Sequence, residues 1–352
     1  MKISLVAPYL SYGGAEKQFC KLVEILAGEK CELRLYVLSS NAKCVEKGKE
    51  FTARGICVKH FNIDAISSNK LSVLLTALKV LLLVKKGKPD FTYFYTLYLM
   101  PLCLLKLVSA SKIIYSERIL SPQTISRKPI YKLMSVFVDS FVVNGESLYE
   151  FFKIIKSNTF LIHNFVEPIR YESNLTSKKV KKIGLVARVS SEKNTILAIQ
   201  AIEGTNLTLN LYYTAVDDLY FDFLKTEINR RGLEHRVFFK GSKSIESIYE
   251  DVDLIVHPSK FEGTPNVVLE AMASFIPCLC SNIRECKDTG IANSFIFEVD
   301  SCQSLSNKIK WWDNQPLDRK QELLLKNKIN VEKKYSIDVF SQKILKLFNI
   351  EF

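Results

Sequence analysis

The chain is short of the residues that announce many chemistries. It has four histidines, His60, His163, His235 and His257, far apart in sequence. Only His257, at a strand end before Pro258, stands near other candidate groups, and a structural role is the better reading for it. No CxxC pair occurs among its nine cysteines. Cys278, Cys280 and Cys286 form the one cluster, and their spacing fits strand alternation better than a zinc site. Reduced, cytosolic thiols are expected. The two tryptophans, Trp311 and Trp312, read as packing residues of an outer helix. There is no GxGxxG dinucleotide fingerprint, no low-complexity tract and no short-period repeat. Met1–Ala7 already reads as a buried strand, so no signal peptide is expected. The longest apolar run, Leu71 to Val84, contains Lys79 and is too short to span a bilayer. It reads as a core helix or one lying on a membrane.

What is present points to a folded α/β chain. Its 352 residues suit two domains, and a 47% hydrophobic content with 22 Phe and 15 Tyr excludes disorder. Short apolar strands alternate with helix-length segments throughout, which predicts parallel sheets. In the first half strands are expected at Ile3–Ala7, Leu33–Leu38, Phe91–Tyr95, Ile113–Tyr115, Ser140–Val143 and Phe160–Asn164. Helices fit Ala15–Ala27, Ser72–Val84, Leu99–Ser109, Ile130–Val138 and Ser147–Ile155. A polar, basic stretch from Glu167 to Lys182 reads as a linker, and a fresh strand follows at Lys182–Val186. The alternation then resumes, with strands near Leu207–Tyr213, Val237–Lys240, Leu254–His257, Pro277–Cys280 and Phe295–Val299. Three pieces are expected: an N-terminal domain over 1–166, a second over 167–335, and a C-terminal helix in 336–352 that packs back on the first.

The net charge of +12 calls for a partner or a reason, the plain reading being solvated surface and the sharper ones an anionic membrane surface or nucleic acid. Basic clusters lie at Lys178–Lys182, at Arg127 and Lys128 with Lys132, and at Lys85, Lys86 and Lys88. With no helix-turn-helix or RNA-recognition signature, an anionic membrane surface is the better sharp reading than nucleic acid.

Three segments carry candidate chemistry. Glu262 and Glu270 frame Gly263-Thr264-Pro265-Asn266-Val267-Val268-Leu269, in which Thr264 suits an N-cap and Pro265 the first helical position. Carboxylates suit sugar hydroxyls and a helix N-terminus suits phosphate, so together they suggest a sugar nucleotide. Arg188 and Lys193 follow the strand at Lys182–Val186 and offer a bidentate fork and a point charge to a pyrophosphate. Gly13 and Gly14 precede the first helix, where backbone can approach a ligand closely.

In this order the segments resemble the retaining glycosyltransferases of the GT-B fold, family 4. The likeness rests on Gly13-Gly14-Ala15-Glu16, on Asn164, on Arg188 with Lys193, and on Pro258-Ser259-Lys260-Phe261-Glu262-Gly263 through Glu270-Ala271-Met272 to Pro277. It implies two doubly wound Rossmann-like domains facing each other across a cleft. It implies that Glu262 faces the donor sugar and Glu270 binds the ribose, while Arg188 and Lys193 take the pyrophosphate. Gly14, Gly263, Thr264, Asn266 and Val267 would lie against the donor. Arg188, Lys193 and Glu262 would be the catalytic set, with neither metal nor cofactor, the nucleoside diphosphate sugar being a substrate, most simply UDP-linked. The acceptor would be a glycan or polyprenyl-diphosphate-linked glycan, in bacterial surface-polysaccharide synthesis. Relatives often carry a histidine after the strand at Lys112–Tyr115; here Glu117 and Arg118 stand there and are candidates for the sugar or acceptor side. The competing readings are a GT-B sugar-nucleotide epimerase or hydrolase, and a non-catalytic polyanion-binding protein.

Overall fold

The computed structural model describes residues 1–10, 14–62, 70–95, 104–118, 122–168 and 179–351. The chain divides into two compact units, Met1–Phe165 with Asp338–Phe352, and Val166–Ile337. Both are parallel sheets covered by helices, as the alternation predicts, in the Rossmann-like architecture that the resemblance implies.

The first unit holds β1 (Lys2–Ala7), β2 (Glu32–Val37), β3 (Cys57–His60), β4 (Phe91–Tyr95), β5 (Lys112–Glu117), β6 (Ser140–Val143) and β7 (Thr159–Leu161). Their order is β3-β2-β1-β4-β5-β6-β7, with Leu5 beside Leu35 on one side and Tyr93 on the other. The second unit holds β8 (Lys182–Val186), β9 (Thr208–Tyr212), β10 (Val237–Gly241), β11 (Leu254–His257), β12 (Cys278–Ser281) and β13 (Ile296–Phe297), ordered β10-β9-β8-β11-β12-β13. Central strands such as β4, β6, β11 and β12 are buried along their whole length, as strands covered on both faces must be. Strand order reverses between β1 and β4 and again between β8 and β11. Crevices at the carboxyl ends of such pairs are where open α/β sheets bind ligands.

Several elements differ from the sequence expectation. The helix Ala42–Ala53, capped by Asn41 through a 2.8 Å bond from the Cys44 N–H, and the strand β3 after it were not anticipated. At the edge of the sheet β3 is only partly covered, so its Cys57-Val58-Lys59-His60 lacks an apolar signature. The helix expected at Ile130–Val138 runs instead over Lys128–Met134, after a separate turn at Pro122–Ser126. Pro129 sets that start, because proline is tolerated only in a first turn. Of the helix expected at Leu99–Ser109, residues 99–103 lie outside the described residues and 104–107 form a 3₁₀ turn. The last helix, Ile337–Leu347, belongs to the first unit. The Phe340 ring lies 5.2 Å from Phe165, and Phe348, just beyond the helix, lies 5.4 Å from Phe91.

One device recurs in both sheets. An aspartate just before a strand accepts the leading backbone N–H of its parallel neighbour. Asp90, before β4, accepts from Lys2 at 2.7 Å, and Asp139, before β6, accepts from Ile113 at 2.7 Å. Asp253, before β11, accepts from both Lys181 and Lys182 at 2.8 Å. These N–H groups lie where a ladder begins and would otherwise need water, so the carboxylates fix strand register as well as satisfy donors. Asp139 also receives Lys106 Nζ at 2.7 Å. Asp139→Ala is expected to cost about 1–3 kcal/mol in a denaturant titration, because a part-buried N–H loses its acceptor. Asp253→Ala should cost less, about 1 kcal/mol, since its donors reach solvent.

Candidate functional site

The candidate groups of the second unit gather where β8 and β11 end. β8 runs into Ala187 and Arg188, then a 3₁₀ turn over Ser191–Lys193. β11 ends at His257, and the 258–265 loop leads into the helix Asn266–Ala273. A backbone bond of 2.9 Å from the Lys260 N–H to the Glu192 carbonyl ties the two loops together. Lys193 then reaches across them, its Nζ 2.7 Å from Glu262 Oε1. His257 Nε2 lies 2.9 Å from the same oxygen. That approach is off the line of the ring N–H, so it is a close electrostatic contact and not a formed hydrogen bond. Glu262 is 10% exposed, and burial opposes its charge. Its two neighbours outweigh burial and hold the carboxyl at about 2. Both contacts use Oε1, and Oε2 accepts no hydrogen bond from the described residues.

Asp300 braces this arrangement from the turn after β13. Its Oδ1 accepts Asn194 Nδ2 at 3.0 Å and pairs with Lys260 Nζ at 3.0 Å, one partner from each loop. Asn194 adopts the left-handed conformation, φ 53°, which asparagine tolerates better than most residues. Ser281 Oγ, at the end of β12, donates to the Ser259 carbonyl at 2.5 Å. The hydroxyls of Ser190, Thr195 and Ser259 are buried with no hydrogen-bond partner among the described residues.

The helix starts one residue later than Thr264 as N-cap implies. Pro265 takes the cap position, Asn266 is the first helical residue, and no side chain caps the end. Proline has no N–H, and the ring restricts the preceding residue to extended conformations, which keeps Thr264 outside the helix. The Asn266 N–H is committed to the Thr264 carbonyl at 2.9 Å, whereas the Val267 N–H has no acceptor among the described residues. Gly263 and Thr264 lie half-buried in the loop, and Glu270 is half-buried inside the helix. Burial and then the charge of Glu270 push the Tyr249 phenol well above its ordinary range. Arg188 is 60% exposed and meets Glu192 at 3.3 Å. The two cations expected to converge on a pyrophosphate are thus engaged with different carboxylates, one at the surface and one buried.

In the first unit, Gly14 opens the helix Gly14–Ala27 at the end of β1. Tyr95 donates to the Ala15 carbonyl at 2.5 Å, and Gln18 clasps the Phe165 backbone through two bonds of 2.8 Å. Glu117 and Arg118, expected on a sugar or acceptor side, are 4% and 6% exposed. The Glu117 carboxylate accepts Tyr131 Oη at 2.7 Å and the Arg118 N–H at 2.9 Å. Arg118 donates to Asn164 Oδ1, and its guanidinium lies 5.4 Å from the Tyr95 ring centre. They brace the carboxyl end of this sheet from within.

Among the described residues, no three His, Cys, Asp or Glu side chains are grouped to hold a metal ion. Cys280 and Cys286 are buried neighbours, and the hydrogen bond with Cys280, then burial, push the Cys286 thiol well up, with Glu262 adding to the effect. Sequence reasoning missed the contact of His257 with Glu262 and the bridging role of Asp300. The first was legible only as a histidine before Pro258; Asp300 is a lone acid in a turn.

Comparison with known proteins places this geometry. The structure of Anabaena HepE in complex with UDP and glucose superposes with a TM-score of 0.83 at 19% identity, covering 99% of both chains. Staphylococcus aureus TarM, in complex with Fondaparinux, α-GlcNAc-glycerol and UDP, gives 0.76 at 15% identity, over 99% of this chain and 100% of that one. Likeness at these identities establishes the GT-B fold. By sequence, the chain is 26% identical over 198 residues to the poly(ribitol-phosphate) α-N-acetylglucosaminyltransferase of S. aureus, 54% of this chain and 40% of that protein. It is 28% identical over 137 residues to the Escherichia coli UDP-Gal:α-D-GlcNAc-diphosphoundecaprenol α-1,3-galactosyltransferase, 36% of this chain and 34% of that one. The matches thus span well under half the length of these relatives. The model of one family, described as "Glycosyl transferases group 1", matches residues 168–347, which include Arg188, Lys193, Glu262 and Glu270, and the chain belongs to that family.

Proposed function

We propose that the chain is a retaining glycosyltransferase of family 4. It moves a sugar from a UDP-linked donor to a hydroxyl of a lipid-linked or growing glycan, at the anionic cytoplasmic face of a bacterial membrane. O-antigen, lipopolysaccharide or capsule synthesis is the setting. The observation that carries this reading is the buried Lys193–Glu262 pair at the β8/β11 switch point, set beside an uncapped helix start. The names of the relatives, a galactosyltransferase using UDP-Gal and a polymer N-acetylglucosaminyltransferase, support the substrate class. No described helix is long and apolar enough to cross a membrane, which is consistent with a peripheral setting.

In this reading Glu270 takes the ribose hydroxyls, and the Val267 N–H and the helix end face the diphosphate. Gly263, Thr264 and Asn266 shape the donor pocket, and Gly14 is a further donor-binding residue. Arg188 is the cation free to move onto the leaving group, because a surface pair with Glu192 holds it weakly. Glu262 keeps Oε2 for a sugar hydroxyl while Oε1 stays with Lys193. The bond from the anomeric carbon to the phosphate oxygen breaks, and the diphosphate leaves with the electron pair. The acceptor oxygen bonds from the same face and its proton passes to the leaving phosphate oxygen. The protein's part is electrostatic stabilisation of the diphosphate and positioning, with no metal called upon. The first unit takes the acceptor.

Incubation with a panel of sugar nucleotides should release UDP from one of them when a lipid-linked acceptor is supplied. A covalent sugar adduct on a carboxylate would replace this mechanism with double displacement. Glu270→Ala is expected to weaken UDP binding about tenfold or more, through loss of about 1.5–3 kcal/mol of charged hydrogen bonding, read by calorimetry. Arg188→Ala should lower turnover with a stability change near zero, roughly within 0.5 kcal/mol. Lys193→Ala should lower both, destabilising by on the order of 3 kcal/mol, because it strands the buried Glu262 carboxylate.

Glu262 also fixes a pH dependence. Its carboxyl is held at about 2 against an ordinary 4.5, so its stabilisation is complete above about pH 4.5 and is lost as pH falls toward 2. That slope is worth roughly 3 kcal/mol. Denaturant midpoints measured from pH 6 down to about 3 should fall for the native chain and fall less for Glu262→Gln. Parallel curves would mean the carboxylate is not ionised against its neighbours.

A further inference from the structure

The net charge is not spread over the chain. The first unit carries 25 Lys and Arg against 14 Asp and Glu, a net +11, while the second carries 24 against 23, a net +1. Topology concentrates this excess further. With right-handed crossovers, the order β3-β2-β1-β4-β5-β6-β7 sends the β1–β2 and β2–β3 connections over one sheet face and every later one over the other. Helices Lys70–Gly87, Lys128–Met134 and Glu146–Ile155 therefore lie in one layer with the 104–107 turn. Their inward side chains agree, since Val84, Leu105, Tyr131 and Phe152 share one core with Phe94 and Phe141 of the strands.

The outward side of this layer is apolar where a solvated layer would be polar. Leu82 is 66% exposed, Leu107 69%, Leu133 68%, Val136 75% and Ile154 76%. The three helices hold seven lysines against two glutamates, and Lys70–Gly87 and Lys128–Met134 hold no acid at all. In the second unit the most exposed large aliphatic, Leu219, stands among Asp217, Asp218 and Asp222. Exposed aliphatics interleaved with lysine, with no acid on two of the three helices and Glu146 and Glu150 on the third, are the chemistry of a bilayer interface, with side chains entering the acyl boundary and ammonium groups on lipid phosphates. Single-stranded nucleic acid would favour aromatic platforms, and the cores of protein interfaces are depleted in lysine.

We propose that the outer face of this helical layer docks on an anionic lipid bilayer, with Leu82, Leu107, Leu133, Val136 and Ile154 as the inserting side chains. The proposal rests on the membrane setting of the proposed function and names the surface that meets the membrane. Sedimentation with phosphatidylcholine vesicles, with and without one third phosphatidylglycerol, tests it. Binding should require the anionic lipid and weaken with salt. Lys128→Glu with Lys132→Glu should weaken it about tenfold or more, and Leu133→Ser with Val136→Ser about fivefold or more. Leu219→Ser should change nothing. Equal binding to neutral vesicles, indifference to both double variants, an equal loss with Leu219→Ser, or displacement by duplex DNA at matched phosphate would each overturn the proposal. Calorimetric UDP binding separates the two ideas. Variants that lose vesicles but keep UDP have lost docking alone, whereas a native chain that docks without binding UDP overturns the proposed function and leaves the surface standing.

Discussion

The buried pair between Lys193 and Glu262 is the constraint around which the second unit's site is arranged. Taking a carboxylate out of water costs several kcal/mol, and only close, well-placed cations offset it. Lys193 comes from the loop after β8, and Glu262 and His257 come from the end of β11 and the loop after it. The two loops can meet those demands in few conformations, and the Lys260–Glu192 backbone bond and the Asp300 bridge hold the one they adopt. Charge in the site is therefore largely neutralised from within before any ligand arrives. Arg188, exposed and weakly held, is the cation of this set with the freedom to respond to an incoming anion.

That arrangement depends on the strands that carry it. In each unit an aspartate pins the strands flanking the reversal of strand order, Asp90 holding β1 from β4 and Asp253 holding β8 from β11. Both devices sit at the amino ends of those strands. Register is thereby fixed at the end remote from the candidate groups, leaving the carboxyl ends to be specialised by loops. The same economy lets the two halves of the chain share an architecture. Register and burial need only an aspartate and apolar runs, while the loops are free to differ.

Much of this was legible in the residues, and the reasons are local. Strands such as Phe91–Tyr95 and Leu254–His257 are covered on both faces and so read as near-continuous apolar runs, broken only by Thr92 and His257. Helix Gly14–Ala27 declares itself through the stripe Phe19, Leu22, Val23 and Leu26. The edge strand Cys57–His60 did not, because half-covered backbone places no strong demand on its side chains. Glu262, Glu270, Arg188 and Lys193 stood out by type and spacing, but spacing does not encode partnership. It could not tell that Lys193 spends its charge on Glu262, or that Glu117 and Arg118 are turned inward to Tyr131 and Asn164. Those pairings join residues 69, 14 and 46 positions apart, and only the folded sheet brings them together.

Where the positive charge lies bears on what it is for. The donor of the proposed reaction is a small diphosphate, and it would bind the second unit. If the net charge of the chain existed to attract that ligand, it would be found there. The second unit is close to neutral, and in the proposed reading it would offer the diphosphate a few local groups instead: the weakly held Arg188, Lys193 already paired with Glu262, and a helix end. Short-range, desolvated contacts of that kind give geometry and selectivity without needing a long-range field. The excess of +11 sits in the other unit, largely on lysines, where it generates a field reaching about a Debye length, ~8 Å at physiological salt. A field of that range orients a large, flat, anionic partner better than it selects a small one. In the proposed reaction the two kinds of positive charge would have separate tasks, one for the leaving group and one for the proposed lipid surface.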